Sequence, residues 1–200
     1  MEKTTPDLNA EYWSKRYEEQ KTGWDIGYAS PALIEFAQSS ISKDAKILIP
    51  GAGRAYEAEE LYRQGYTLVY AADFSRNAKD EFLKRVEDFP ESQFIVGDFF
   101  ELDGEYDYIL EQTFFCALNP TFRKAYVRKM ADLLKPKGVL AGLLFNFELD
   151  GGPPFGGSKE EYESLFKPDF NLDILEDCRN SIEPRKGSEY FFKFSLRKNK

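Results

Sequence analysis

One short segment of this 200-residue chain limits its possible folds more than any other. Residues 46–56 read Lys-Ile-Leu-Ile-Pro-Gly-Ala-Gly-Arg-Ala-Tyr. An apolar run leads into two glycines one position apart, and helix-compatible residues follow. A second apolar run, Thr67 to Ala72, ends at Asp73. Strand, glycine turn, helix, strand and terminal acid form the layout in which α/β folds bind nucleosides. Gly51 and Gly53 let the backbone approach a ligand, and the Asp73 carboxylate is placed to accept hydrogen bonds from ribose hydroxyls. The segment points to an adenosine-containing cofactor without saying which.

Spacing along the rest of the chain extends this unit into a repeated β-α-β pattern. Helices are predicted at Glu11–Gln20, Pro31–Ser39, Ala55–Gln64 and Arg76–Val86. Two more are predicted, from Asn119-Pro120 to Leu134 and over Ser158–Phe166, the latter with a capping box of Ser158 and Glu161. Strands are predicted at Lys46–Ile49, Thr67–Ala72, Gln93–Val96, Tyr106–Leu110, Val139–Phe145, Leu172–Leu175 and Tyr190–Leu196. Lys135-Pro136-Lys137-Gly138 is expected to stop the helix before it. Such alternation implies a mostly parallel sheet covered by helices. With 42% hydrophobic residues, residues 1–200 fit one domain with a substantial core, residues 1–40 lying over the ligand crevice and 41–200 forming the core.

Composition removes several function classes. The chain contains no histidine, so Ser-His-Asp and Cys-His catalysis and histidine bases are absent. Its two cysteines, Cys116 and Cys178, make neither a disulfide framework nor a metal pattern, and no metal site is expected. A net charge of −8 argues against nucleic acid as the main partner, and the basic tail Arg197-Lys198-Asn199-Lys200 reads as a solvated end. No apolar run approaches ~18 residues, so no membrane span is expected, and the chain reads as cytoplasmic. A monomer is favoured.

Two details choose among adenosine cofactors. Tyr56 stands where a dinucleotide site needs a third glycine beside the pyrophosphate, which disfavours a nicotinamide cofactor. Gly97-Asp98-Phe99 follows the third strand. There Asp98 either accepts from an adenine amino group, with Phe99 against the ring, or caps a turn.

At this point the chain resembles class I S-adenosylmethionine-dependent methyltransferases. Within them it resembles the thiopurine methyltransferase superfamily, nearest its thiol and halide methyltransferase branch. The resemblance rests on Trp13-x3-Tyr17, Trp24-Asp25-x-Gly27, Ile49-Pro50-Gly51-Ala52-Gly53, Asp73 and Gly97-Asp98-Phe99. It continues through Phe114-Phe115-Cys116-Ala117-Leu118, Leu133-Leu134-Lys135-Pro136-x-Gly138, Gly151-Gly152-Pro153-Pro154-Phe155 and Pro184-Arg185-Lys186-Gly187. The chain departs from the branch at Ala55 and Tyr56, at Tyr17 (usually tryptophan) and at Glu111-Gln112 (usually an Asp-Tyr type pair).

The resemblance implies a Rossmann-like fold with a seven-stranded, mostly parallel sheet and an antiparallel C-terminal strand. It also implies transfer of a methyl group from S-adenosylmethionine to a small thiol, thiopurine-like or halide acceptor by in-line displacement. The cofactor-binding residues would be Trp13, Tyr17, Trp24, Gly51, Gly53, Asp73, Phe74, Asp98, Phe99, Glu111 and Gln112. Trp13, Tyr17 and Trp24 would form an aromatic lid over the sulfonium, or simply pack an N-terminal helix. Tyr28, Phe115, Phe155 and Arg185 would meet the acceptor, with Phe114 also walling an apolar pocket; core packing and an exposed basic turn are the rival readings. No residue is assigned as catalytic, because an anionic acceptor needs no protein base. A small-molecule O- or N-methyltransferase using Tyr28 or Glu111, and a binding module without turnover, stand as alternatives.

Overall fold

A computed structural model of the protein describes residues 8–19, 21–147 and 151–197. Gln20, where the first predicted helix ends, and the basic residues Lys198 and Lys200 lie outside them. The elements are α1 (Ala10–Glu18), α2 (Pro31–Ser40), β1 (Ile47–Pro50), α3 (Tyr56–Arg63), β2 (Val69–Asp73), α4 (Arg76–Arg85) and β3 (Phe94–Val96). They continue as β4 (Tyr106–Gln112), α5 (Arg123–Asp132), β5 (Leu134–Phe145), α6 (Lys159–Phe166), β6 (Phe170–Asp177) and β7 (Glu189–Leu196). The seven strands form one sheet in the order β3-β2-β1-β4-β5-β7-β6. All neighbours run parallel except β7, which is antiparallel to both β5 and β6. This is the Rossmann-like arrangement expected.

Strand alternation divides the core between the two faces. Ile47 and Ile49 of β1 join Leu33, Phe36, Leu61 and Phe82 in one cluster, beneath α2, α3 and α4. Leu48, from the same strand, joins Tyr126, Met130, Tyr162 and Phe166 beneath α5 and α6. All four β1 residues are buried, as a central parallel strand requires. The chain order reverses between β1 and β4, whose carboxyl ends therefore diverge into a crevice. Among the described residues, no helix is long and apolar enough to cross a membrane.

Three local expectations change. Asn119 does not open the long helix: its side chain accepts from the Thr121 amide and caps a 3-10 turn over Pro120–Phe122, and α5 starts at Arg123. The helix does stop before residues 135–138, at Asp132, but the strand expected from Val139 starts earlier and takes them in. They lie inside β5, because Leu134 already pairs with Tyr106, and the irregularity appears as a register shift and a left-handed Lys137 at φ 69°. Phe170–Asp177 is also longer than predicted, because each of its ends pairs with β7.

Candidate active site

The ends of the five parallel strands converge on one cavity of about 440 Å³, to which Pro50, Asp73, Gly97, Gln112 and Phe145 all contribute. Its floor is the glycine turn. Gly51 and Gly53 adopt φ of +60° and +53°. A Cβ at Gly51 would stand 2.3 Å from Cδ2 of Phe114, and one at Gly53 would stand 2.7 Å from the Tyr17 hydroxyl. Only glycine satisfies both the dihedral and the space. Ala55 carries the same left-handed twist, at φ 55°, into the first turn of α3. Thr113, at the tip of β4, does likewise at φ 60°. Two strained non-glycine residues thus flank one cavity, the kind of local cost retained at functional sites.

Asp73 holds the floor in shape. Its Oδ2 accepts from the Gly53 amide at 2.8 Å, and its Oδ1 accepts from the Ser75 amide at 2.9 Å. Ser75 in turn caps α4 through the Ala78 amide. Burial raises the Asp73 pKa, and the amide donors hold it down in part. A carboxylate has about four lone-pair sites, so capacity remains for a ligand hydroxyl.

The roof comes from the N-terminal segment. Asn9 caps α1 through the Tyr12 amide, and the i, i+4 spacing of Trp13 and Tyr17 puts both on one face. Trp24 meets them edge-on, with ring centroids 5.2 Å from Trp13 and 5.7 Å from Tyr17. Burial, then the nearby Asp73 charge, pushes the Tyr17 phenol up to about 12, so it stays protonated.

The loop after α1 is fastened at three points. Arg54 Nε lies 2.7 Å from Asp25 Oδ2. Arg185 Nη2 donates to the Trp24 carbonyl at 2.9 Å, and Glu57 Oε1 accepts from the Ser30 amide at 2.9 Å.

Most residues expected from the sequence meet here. Trp13, Tyr17, Trp24, Gly51, Gly53, Asp73, Phe74, Phe99, Gln112, Tyr28 and Arg185 all line the cavity. Tyr28 does so at its mouth, 51% exposed.

Four others stand outside the lining. Asp98 is exposed and caps the Phe99–Glu101 turn through the Phe100 amide, which is the turn-capping alternative. Glu111 is fully buried on the other side of β4, because adjacent strand residues point to opposite faces and Gln112 faces the cavity. Phe115 packs among Tyr126, Tyr162 and Phe166, leaving Phe114 as the wall. Phe155 is buried, and its amide donates to the Cys116 carbonyl at 2.7 Å, while its neighbours Pro153 and Pro154 line the cavity.

The sequence reading missed Arg16, Arg54, Tyr56 and Glu57 as lining residues. The signal for Arg54 and Tyr56 was their adjacency to the glycine turn.

Among the described residues, four buried atoms in the lining lack hydrogen-bond partners: Gln112 Oε1, Arg16 Nε, Arg185 Nη1 and Arg54 Nε, the last of which keeps its ion pair with Asp25. Arg185 Nη1 has only a long ion pair with Glu189, at 3.6 Å. Arg16 also stacks on the Trp24 ring, 5.8 Å from its centroid. One free acceptor and two half-satisfied guanidinium groups suit a ligand bearing both an ammonium and anionic character. Among the described residues, no group of acids and cysteines is arranged to hold a metal ion.

The profile of the Thiopurine S-methyltransferase (TPMT) family matches residues 8–195. The chain belongs to the thiopurine S-methyltransferase family. The "Probable thiol methyltransferase 2" of Arabidopsis thaliana is 32% identical over 184 residues, covering 88% of this chain and 81% of that protein. "Thiocyanate methyltransferase 1" of Brassica oleracea is 30% identical with the same coverage.

Among solved structures, a 1,6-didemethyltoxoflavin-N1-methyltransferase of Burkholderia thailandensis, with S-adenosylhomocysteine bound, superposes with a TM-score of 0.76. It is 20% identical, with 96% of this chain and 88% of that one covered. The magnesium protoporphyrin IX methyltransferase of Synechocystis PCC 6803, with S-adenosylmethionine bound, gives 0.72 at 13% identity, with 97% and 99% covered. These structural likenesses establish the fold, and family membership makes this chain an S-adenosylmethionine-dependent methyltransferase. The cavity fits that cofactor: glycines where a backbone must pass close, a buried acid with free lone pairs, and an acceptor atom without a partner.

Proposed function

We propose that this enzyme methylates a small acceptor that reaches the cavity already anionic: a thiolate, a thiopurine-type sulfur or a halide-like anion. One observation carries the reading. Among the described residues, each carboxylate lining the cavity already has a partner: Asp25 pairs with Arg54 and accepts from the Gly27 amide, Asp73 accepts from two amides, and Glu57 accepts from the Ser30 amide. Asp73 is committed to the glycine turn and Asp25 to Arg54, and with no histidine in the chain the described lining presents no dedicated base for an alcohol. Burial pushes the Cys116 thiol up, so it is neither a nucleophile nor a base at neutral pH. Arg16 and Arg185 bring positive charge to the same cavity, which favours the ionised form of an acceptor thiol.

Bound S-adenosylmethionine supplies an electrophilic methyl group on a sulfonium. Around it, Gly51, Gly53 and Asp73 would hold the adenosyl part, with Phe74 and Phe99 as apolar walls. Gln112 would accept from the methionine ammonium. Trp13, Tyr17 and Trp24 would cover the sulfonium with aromatic faces and exclude water. Tyr28 and Arg185 would meet the acceptor. Glu111, Phe115, Phe155 and Asp98 have no direct role in this assignment.

We also read residues 1–200 as one domain with residues 1–40 as its lid, working as a monomer on small molecules rather than on nucleic acid or membranes. The net charge of −8 supports the exclusion of nucleic acid. The free, buried Cys116 and Cys178 support a cytoplasmic setting.

Turnover of thiocyanate, iodide, a small aromatic thiol and the matching phenol, measured side by side with S-adenosylmethionine, tests the acceptor. The sulfur and halide acceptors are expected to turn over and the phenol to fail. A phenol turned over as fast as the thiol would contradict the reading.

A further inference from the structure

Glu111 is costly where it sits, and nothing assigned so far uses it. Its side chain is completely buried at the end of a central strand, and among the described residues no cation pairs with it. Its partners are donors. Oε1 accepts from the Phe114 amide at 3.3 Å, and Oε2 accepts from the Phe115 amide at 3.2 Å and from the Tyr126 hydroxyl at 3.0 Å. The two amides open the short 3-10 turn Phe115–Ala117. That turn and its flanks supply Phe114, Cys116, Ala117 and Leu118 to the cavity wall. The turn touches both sides of the site. The Phe114 ring fills the space over Gly51, and the Cys116 carbonyl accepts from Phe155 and so ties the turn to the proline loop. The carboxylate therefore grips the wall from behind, through backbone amides rather than through the ligand.

We propose that Glu111 is a positioning residue for methyl transfer, fixing the Phe114–Leu118 wall so that the acceptor approaches along one path. Three donors converging on one carboxylate form a fixed cluster, and a carboxylate is the side chain that accepts from all three at once. A neutral carboxylic acid gives up part of that capacity. Burial pushes the Glu111 pKa up to about 7, opposed by the Tyr126 hydroxyl and the two amides. The other titratable groups that feel its charge are Cys116 on the turn, Tyr126 on α5 and Tyr162 on α6, all of them neutral at pH 7 because burial raises their pKa. The grip is consequently strongest above neutrality and weakens as the pH falls below it.

The experiment compares the wild type, E111Q and Y126F from pH 5 to 9. One readout is the Phe114 and Phe115 amide proton shifts. The other is steady-state kinetics with thiocyanate, which stays anionic over that range. The choice of thiocyanate rests on the proposed acceptor class, but the amide readout does not. In the wild type both amides should titrate near neutrality, and the acceptor kcat/KM should fall with them on the acid side. E111Q should lose both transitions and raise the acceptor KM at least fivefold, leaving affinity for S-adenosylhomocysteine within twofold. Y126F covers the case in which E111Q fails to fold. Removing its hydroxyl removes a bond that favours the charged form, so the transition should move to higher pH. Amides that stay flat across the range in the wild type, or an E111Q enzyme with unchanged acceptor KM and pH profile, would overturn the proposal. If thiocyanate is not turned over, the acceptor class fails while the amide titration still decides the role of Glu111.

Discussion

The floor and the roof of this cavity are built by opposite means. The floor is backbone: Gly51, Gly53 and the left-handed Ala55, tied to β2 by the Asp73 carboxylate and by the Ala52 amide donating to the Ala72 carbonyl at 3.0 Å. The roof is side chains: three aromatic rings from α1 and the following loop, fastened by charged groups on distant elements. A floor of dihedral angles has few tolerable variants, since one methyl group at Gly51 overlaps Phe114. A roof of packed rings and exposed ends can shift and re-form. The first suits the constant part of the reaction, the cofactor, and the second suits the part that must admit and release an acceptor.

The largest effect is expected at the floor. Gly51→Ala meets both a strained left-handed dihedral and the Phe114 ring, which together cost about 2–4 kcal/mol. A thermal melt should show the loss, and calorimetry should find cofactor-product binding weakened by about a hundredfold or the protein unfolded. Asp73→Ala comes next. It removes the brace on Gly53 and, on the proposed assignment, the acceptor for ribose hydroxyls, and S-adenosylhomocysteine should bind at least about tenfold more weakly, or about 1.4 kcal/mol. An unchanged affinity would remove Asp73 from the ribose role.

How much of this was legible in the sequence follows the same division. The floor is local: apolar strand, two glycines and an acid ending the next strand encode their own geometry, so Gly51, Gly53 and Asp73 could be read directly. The rings of the roof were visible too, but their fastenings were not. Arg185 and Trp24 are 161 positions apart, and nothing in either neighbourhood names the other. Adjacent pairs were the other failure. At Glu111-Gln112 and Phe114-Phe115, one member faces the cavity and the other the core, and composition cannot say which. Strand alternation sends Glu111 and Gln112 to opposite sides, and the 3-10 turn does the same for Phe114 and Phe115, but choosing between members needs a fixed reference such as Phe114 against Gly51. Asp98 offered both a cap and a ligand contact; the structure has its Oδ1 capping a turn, which leaves the second oxygen available for the other.

Smaller effects are expected at the roof. Arg185→Met cuts the fastening to the Trp24 carbonyl and removes a cation from the cavity, on the proposed assignment from its acceptor side. Kinetics should show acceptor KM rising about tenfold, as expected when a charged hydrogen-bonding partner worth about 1.5 kcal/mol or more is lost. Trp24→Phe keeps an aromatic face of smaller area. Cofactor affinity should fall by only about threefold, within the range of a weakened cation–π contact.

The smallest effect is a pH dependence of stability. Glu111 has a folded pKa near 7, above that of an exposed carboxylate, so the folded state holds the extra proton more tightly. Stability from that group is fully present below the ordinary carboxylate range and is lost as the pH rises toward about 7. The difference in melting temperature between wild type and E111Q should therefore move against the wild type between pH 5 and 8. A constant difference would contradict the burial of the charge.

The most direct test of the division between floor and roof is a set of calorimetric titrations with S-adenosylhomocysteine on the wild type, Asp73→Ala and Arg185→Met, paired with acceptor KM for each. The account predicts binding by the wild type, at least tenfold weaker binding by Asp73→Ala, and affinity within about threefold of wild type for Arg185→Met, whose acceptor KM alone rises. Equal losses of cofactor affinity in both variants, or no binding by a folded wild-type protein at millimolar ligand, would contradict it.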